Sequence, residues 1–123
     1  MTKIIADAAY DAALNTIKNN AIKLFVLPLA VTTYASANST NLATTSIASG
    51  DMIIADGDVS GRKLTVASVQ GLTVTVTNSA SHIALTDAAT VLYSLNETSA
   101  NVALTSGGTV DVGLWKWEIT DGT

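Results

Sequence analysis

The sequence predicts a mainly β chain: an antiparallel β-sandwich or barrel-like body carrying one N-terminal α-helix. Three observations predict it. Apolar residues recur at helical spacing in the first twenty positions. Leu72, Val74 and Val76 alternate strictly with Thr73, Thr75 and Thr77, the period of a half-buried antiparallel strand. From residue 51 onward, short apolar runs recur with turn signals between them, the spacing of a sandwich or barrel. The 123 residues suit a single domain over 1–123, with a helix over 5–20, a β body over 22–120 and a long arm or loop over 32–50.

The helix comes first. Tyr10, Leu14, Ile17 and Ala21 share one face, and Asp7, Asp11, Asn15 and Lys18 take the other. Ala8, Ala9, Ala12 and Ala13 favour helix and allow close backbone approach. Asp7 is a cap or first-turn acid, and Asn19-Asn20 end the helix through a left-handed residue. "IKLFVLPLA" then reads as a buried strand whose far end Pro28 places at an edge or bulge. Residues 32–50 are small and polar with weak periodicity, which suggests an arm with one short strand.

Strands follow closely. "DMIIA" leads to "KLTVASV", and Gln70-Gly71 is read as a hairpin link to "LTVTVT". Asn78–Ser81 reads as a turn. "HIALT" and "VLYSL" pair around Asp87-Ala88-Ala89, and "NVALT" precedes Ser106-Gly107-Gly108. In the last segment Val110, Val112 and Leu114 share one parity, and Trp115, Trp117 and Ile119 the other. A bulge or bend near Gly113 would reconcile them, sending both tryptophans to the core or to an intersubunit contact.

Composition limits the chemistry. Without cysteine there is no thiol nucleophile and no cysteine-ligated zinc. Net charge is −4, and Arg62-Lys63 is the one basic pair, so nucleic acid finds no electrostatic footprint. The apolar stretch "AIKLFVLPLAV" carries Lys23 and Pro28 and is too short to span a bilayer; the start of the chain meets Asp7 and Asp11 too early for a secretion signal. A soluble, cytosolic product is expected. Charged residues make up 13% and apolar residues 48%, with a mean hydropathy of +0.39. Such a surface resists self-association poorly and is expected to be partly covered by partner subunits.

One motif invites a metal reading. In "ADGDVSGRK", Asp56, Asp58, Ser60 and Gly61 match the start of an EF-hand loop. The second half fails: the positions where an acid is needed hold Leu64 and Ala67. Three ligands fall short of the roughly six to eight oxygens calcium takes. The turn is better read as glycine-hinged, with Arg62 or Lys63 neutralising the aspartates. His82 is the single histidine, and no nucleophile elbow, phosphate loop or zinc-binding helix motif occurs. No enzymatic activity and no cofactor are expected.

The order of segments carries a resemblance. An amphipathic helix containing "DAAL" runs into "KLFVLPL", then "TTYASA", "GDVSGRKLTVAS", "SHIALTDAATVLYSL", "ALTSGGTVDV" and a tryptophan-containing last strand ending "EITD". This series resembles small structural proteins of tailed bacteriophage virions, in particular capsid decoration (cement) proteins. The resemblance covers nearly the whole chain, and "LFVLPLAV" is more apolar than the family pattern. It implies a trimer bound to the major capsid protein outside the head, in a virion assembled in the host cytoplasm. Interface candidates are Tyr10, Leu14, Ile17, Tyr34, Arg62, Lys63, Trp115 and Trp117. A tail or fibre component is the alternative, and a host-glycan binding module is another, with Tyr34, Tyr93, Trp115 and Trp117 as its sugar platform.

Overall fold

The computed structural model describes residues 5–120. The ends of the expected domain, 1–4 and 121–123, lie outside them. Helix α1 (Asp7–Asn20) is followed by β1 (Lys23–Leu27), α2 (Tyr34–Thr40), β2 (Ala43–Ser46) and β3 (Met52–Asp56). Then come β4 (Arg62–Val66), β5 (Val69–Thr73), β6 (Asn78–Thr86), β7 (Leu92–Leu104), β8 (Thr109–Val112) and β9 (Trp115–Ile119). The protein is mostly β, with antiparallel sheets in a sandwich-like body and a helix at its N-terminal side.

Asp7 lies in the first turn of α1 and Lys18 in the last, each at the end of the helix dipole that favours its charge. The exit differs from expectation, because no described non-glycine residue has positive φ. Ala21 instead turns extended, while its N–H still reaches the Ile17 carbonyl at 2.8 Å. Asn20 donates from its side chain to the Thr16 carbonyl at 2.8 Å and needs no left-handed backbone.

β1 lies inside a four-stranded sheet of order β2-β1-β6-β7. A strand with neighbours on both sides, covered on both faces, reads as a continuous apolar run, and Leu24 to Leu27 are all buried. Leu24 and Val26 enter the main core; Phe25 and Leu27 point the other way, to Val31, Ala37 and Ala84. Pro28 follows the last residue of β1, where its missing N–H breaks no ladder.

The expectation of an arm over 32–50 is corrected. That stretch holds α2, β2 and a 3-10 turn over Ser49–Asp51, and Ala37, Leu42, Ala43 and Ile47 anchor it to the body. α2 covers the second face of the sheet. Its start is capped by Thr33, whose hydroxyl accepts from the Ser36 N–H at 3.1 Å. Apolar periodicity could not reveal α2, since Ala37 is its one buried residue.

β3-β4-β9 form a three-stranded sheet, and β5-β8 a two-stranded one. The expected Gln70-Gly71 hairpin is absent: β4 pairs with β3 and β9. Those two residues lie inside β5, where the register against β8 slips between Val69 and Leu72. Gly71 takes φ 72° there and donates its N–H to Asp111 at 2.8 Å, so the glycine serves a bulge. The alternation after it is also cut short. Leu72 and Val74 are buried, but Val76 is 49% exposed. Asn78–Ser81, expected as a turn, begins β6.

The β6–β7 hairpin forms around Asp87 as expected. One Asp87 carboxylate oxygen accepts the N–H groups of Ala89, Thr90 and Val91 at 3.0, 2.7 and 2.8 Å, and the other accepts the Thr90 hydroxyl at 2.7 Å. The parity change at Gly113 also has its cause. There the chain leaves the β5-β8 sheet and joins β4 as β9. Val112 reaches the main core from one sheet, and Trp115 and Trp117 pack on it from the other, opposite Val66 and Leu64.

Candidate functional site

Three of the expected interface residues are spent inside the chain. Tyr10 is 5% and Leu14 2% exposed, and Ile17 packs partly buried on the main core. The apolar face of α1 therefore covers its own body, which corrects its assignment to a partner contact. Burying two such side chains stabilises the helix by about 1.5–3 kcal/mol each. Lys18, expected on the solvent face, donates to the Ser49 and Met52 carbonyls at 3.0 and 2.9 Å. It fastens the end of α1 to the start of β3.

The "ADGDVSGRK" turn joins β3 to β4 and gathers charge. Arg62 donates to Asp11 of α1 at 2.8 Å through Nε and to Asp56 at 2.7 Å through a terminal nitrogen. These hydrogen bonds, that to Asp11 foremost, hold its guanidinium more firmly protonated than usual. Lys63 donates to Asp58 at 2.8 Å, and Lys116 of β9 pairs with the other Asp58 oxygen. Glu118 accepts the Asp58 N–H. Seven charged residues, out of six basic and ten acidic in the chain, thus form two adjoining surface groups, Asp11–Arg62–Asp56 and Lys63–Asp58–Lys116–Glu118. Asp56 and Asp58 both face cations, and among the described residues no cluster of His, Asp or Glu could hold a metal. Ser60 follows both in the turn, and its carbonyl lies close against Gly57.

The aromatic residues do not form one platform. Tyr34 starts α2 on the second face of the four-stranded sheet. Its hydroxyl accepts from Lys23 at 2.9 Å, and its ring meets Phe25 edge-on at 5.9 Å. Trp115 and Trp117 lie on the main-core side with Tyr93, all partly buried. His82 bonds its neighbour Ser81 at 2.7 Å and stands opposite Glu97 across the β6–β7 ladder.

A feature without a distinctive sequence signal is an open groove of about 310 Å³, between β7 and the β8–β9 crossing. Val26, Ala80 and Ile83 lie at its base, and Val102 and Leu114 at its rim, 51% and 68% exposed. Among the described residues, four buried side-chain atoms lack a hydrogen-bond partner: Ser94 Oγ, Asn96 Oδ1, Trp115 Nε1 and Trp117 Nε1. Two of their residues, Asn96 and Trp115, line this groove. Alternation could place apolar residues on a face, but only the sheet switch at Gly113 leaves two faces apart. No described helix is long and apolar enough to cross a membrane. Comparison of the chain with protein-family models, curated proteins and solved structures found no match.

Proposed function

We propose that the protein is a structural component of a tailed-bacteriophage virion, a decoration (cement) protein bound to the major capsid protein on the outside of the head. The resemblance in segment order names this role. The observation that carries it in three dimensions is the character of the surface. The charges around β3, β4 and β9 are tied to one another, while Ile53, Val59 and Leu114 stand 64%, 92% and 68% exposed. A polar surface of low charge with exposed apolar side chains suits a subunit covered by neighbours after assembly. A trimer on the shell would bury such residues and oppose internal pressure without a cofactor.

Cryo-electron microscopy of the virion tests the proposal. Density for this chain over capsomer junctions, at a copy number comparable with that of the capsid protein, is the expected result. A few copies confined to the tail would replace it with a tail or fibre role. Light scattering of the purified protein tests the trimer. The aromatic residues, divided between the two faces of the central sheet, offer the glycan reading no support.

A further inference from the structure

The groove beside β7 is a seam where the sandwich stays open. Among the described residues, β7 is the last strand of its sheet, β8 pairs with β5 alone, and β9 pairs with β4 alone. Three strands with one unpaired edge each therefore meet around one apolar slot. β7 also loosens there. Ala80 pairs with Val102 and His82 with Glu97, so the residues from 98 to 101 bulge out of the ladder. Thr98 steadies the bulge by donating to the Ala100 carbonyl at 2.8 Å.

The groove has one sign of charge. Its charged lining residues are Glu97 and Asp111, with no cation among them. Asp111 has one oxygen on the Gly71 N–H. The Glu97 carboxylate carries no hydrogen bond or ion pair among the described residues, whereas the aspartates of the "ADGDVSGRK" turn are all paired.

We propose that this groove binds an extended segment of a partner protein, with small apolar side chains and a flanking lysine or arginine. Its main chain adds as a strand to a free edge along the slot, its alternate side chains cover Ile83 and Val102, and its cation meets Glu97 and Asp111. The inference goes beyond the virion reading and holds wherever the protein resides.

The test uses the full chain, ¹⁵N-labelled, and three blocked seven-residue peptides. One alternates threonine and valine with a lysine at each end. The second carries glutamate at the ends, and the third keeps the lysines with proline at the centre. The lysine peptide is expected to shift the amide signals of residues 97–102 and 110–115. The glutamate peptide should bind roughly ten-fold more weakly at low salt. The proline peptide, lacking a central N–H, should lose most binding. Glu97 is exposed, so Glu97→Lys keeps the fold and should narrow or reverse the charge preference. No shift at about 1 mM lysine peptide, in the range of weak strand addition, overturns the proposal. Equal binding of both charge forms, or shifts outside the groove, also overturns it. Concentration-dependent shifts at the same amides without peptide would assign the groove to a second copy of the chain and overturn it as well.

Discussion

Gly61 closes the β3–β4 turn at φ 69°, and a Cβ built on it would stand 1.8 Å from the carbonyl oxygen of Ile119. Gly61→Ala therefore carries two costs. A left-handed non-glycine residue costs about 1–2 kcal/mol. The Ile119 carbonyl must also retreat by at least 1.2 Å, from 1.8 Å to the 3.0 Å below which Cβ contacts essentially never occur. Ile119 is the ladder partner of Arg62, so this retreat opens the end of β9. Forcing backbone apart in a packed region costs about 1–3 kcal/mol, and the two together come to about 2–5 kcal/mol. Gly71→Ala and Gly107→Ala separate the costs. Both glycines have positive φ, 72° and 91°, with nothing within 4 Å of an added Cβ. They should lose the conformational cost alone, about 1–2 kcal/mol. Any stabilisation from a stiffer unfolded chain is common to all three and cancels in the comparison. Urea unfolding followed by fluorescence of Trp115 and Trp117 measures the differences. Equal destabilisation of the three variants would refute the claim that β9 closes against the turn at Gly61.

Leu64→Ala, at a fully buried position in the middle of β4, should destabilise the chain by about 2–5 kcal/mol in the same assay. Arg62→Ala should speed amide exchange in α1 and the 56–61 turn and leave β6–β7 unchanged, because Arg62 joins Asp11 to Asp56. Asp87 is held well below the usual carboxylate range, chiefly by the Val91 N–H and the Thr90 hydroxyl. A depressed folded value contributes stability above the unfolded pKa of about 3.9. That contribution fades as pH falls through the folded value, so Asp87→Ala should flatten the acid limb of the stability profile below about pH 4. Calcium or a chelator should leave the melting temperature unchanged; a shift of several degrees would restore Asp56 and Asp58 as ligands.

What could be read in advance follows the reach of each signal. The α1 stripe, the continuous run of β1 and the Asp87 hairpin are local patterns whose burial comes from one nearby layer. The parity change at Gly113 was legible as a bend, but its cause, a switch of sheets, depends on β4 and β5 lying in different ladders. Gln70-Gly71 misled because a glycine with positive φ serves a bulge as well as a turn. α2 went unseen because one alanine and a threonine cap are all that mark it. The turn charges were legible as a cluster, while their tie to Asp11 needed α1 to lie across β4. The groove had no local signature, since its two sides meet only in the folded chain.

The central place of β1 also governs how the protein must be made. Lys23 pairs with Thr86 in β6, a residue synthesised about sixty positions later. At usual elongation rates a nascent chain therefore waits roughly 3–12 s with "KLFVL" lacking its β6 partner. Lys23 also pairs with Ser46 of β2, which emerges much sooner. With α2 beside it, the 32–50 stretch can cover one edge and one face of this apolar strand on the ribosome until β6 arrives.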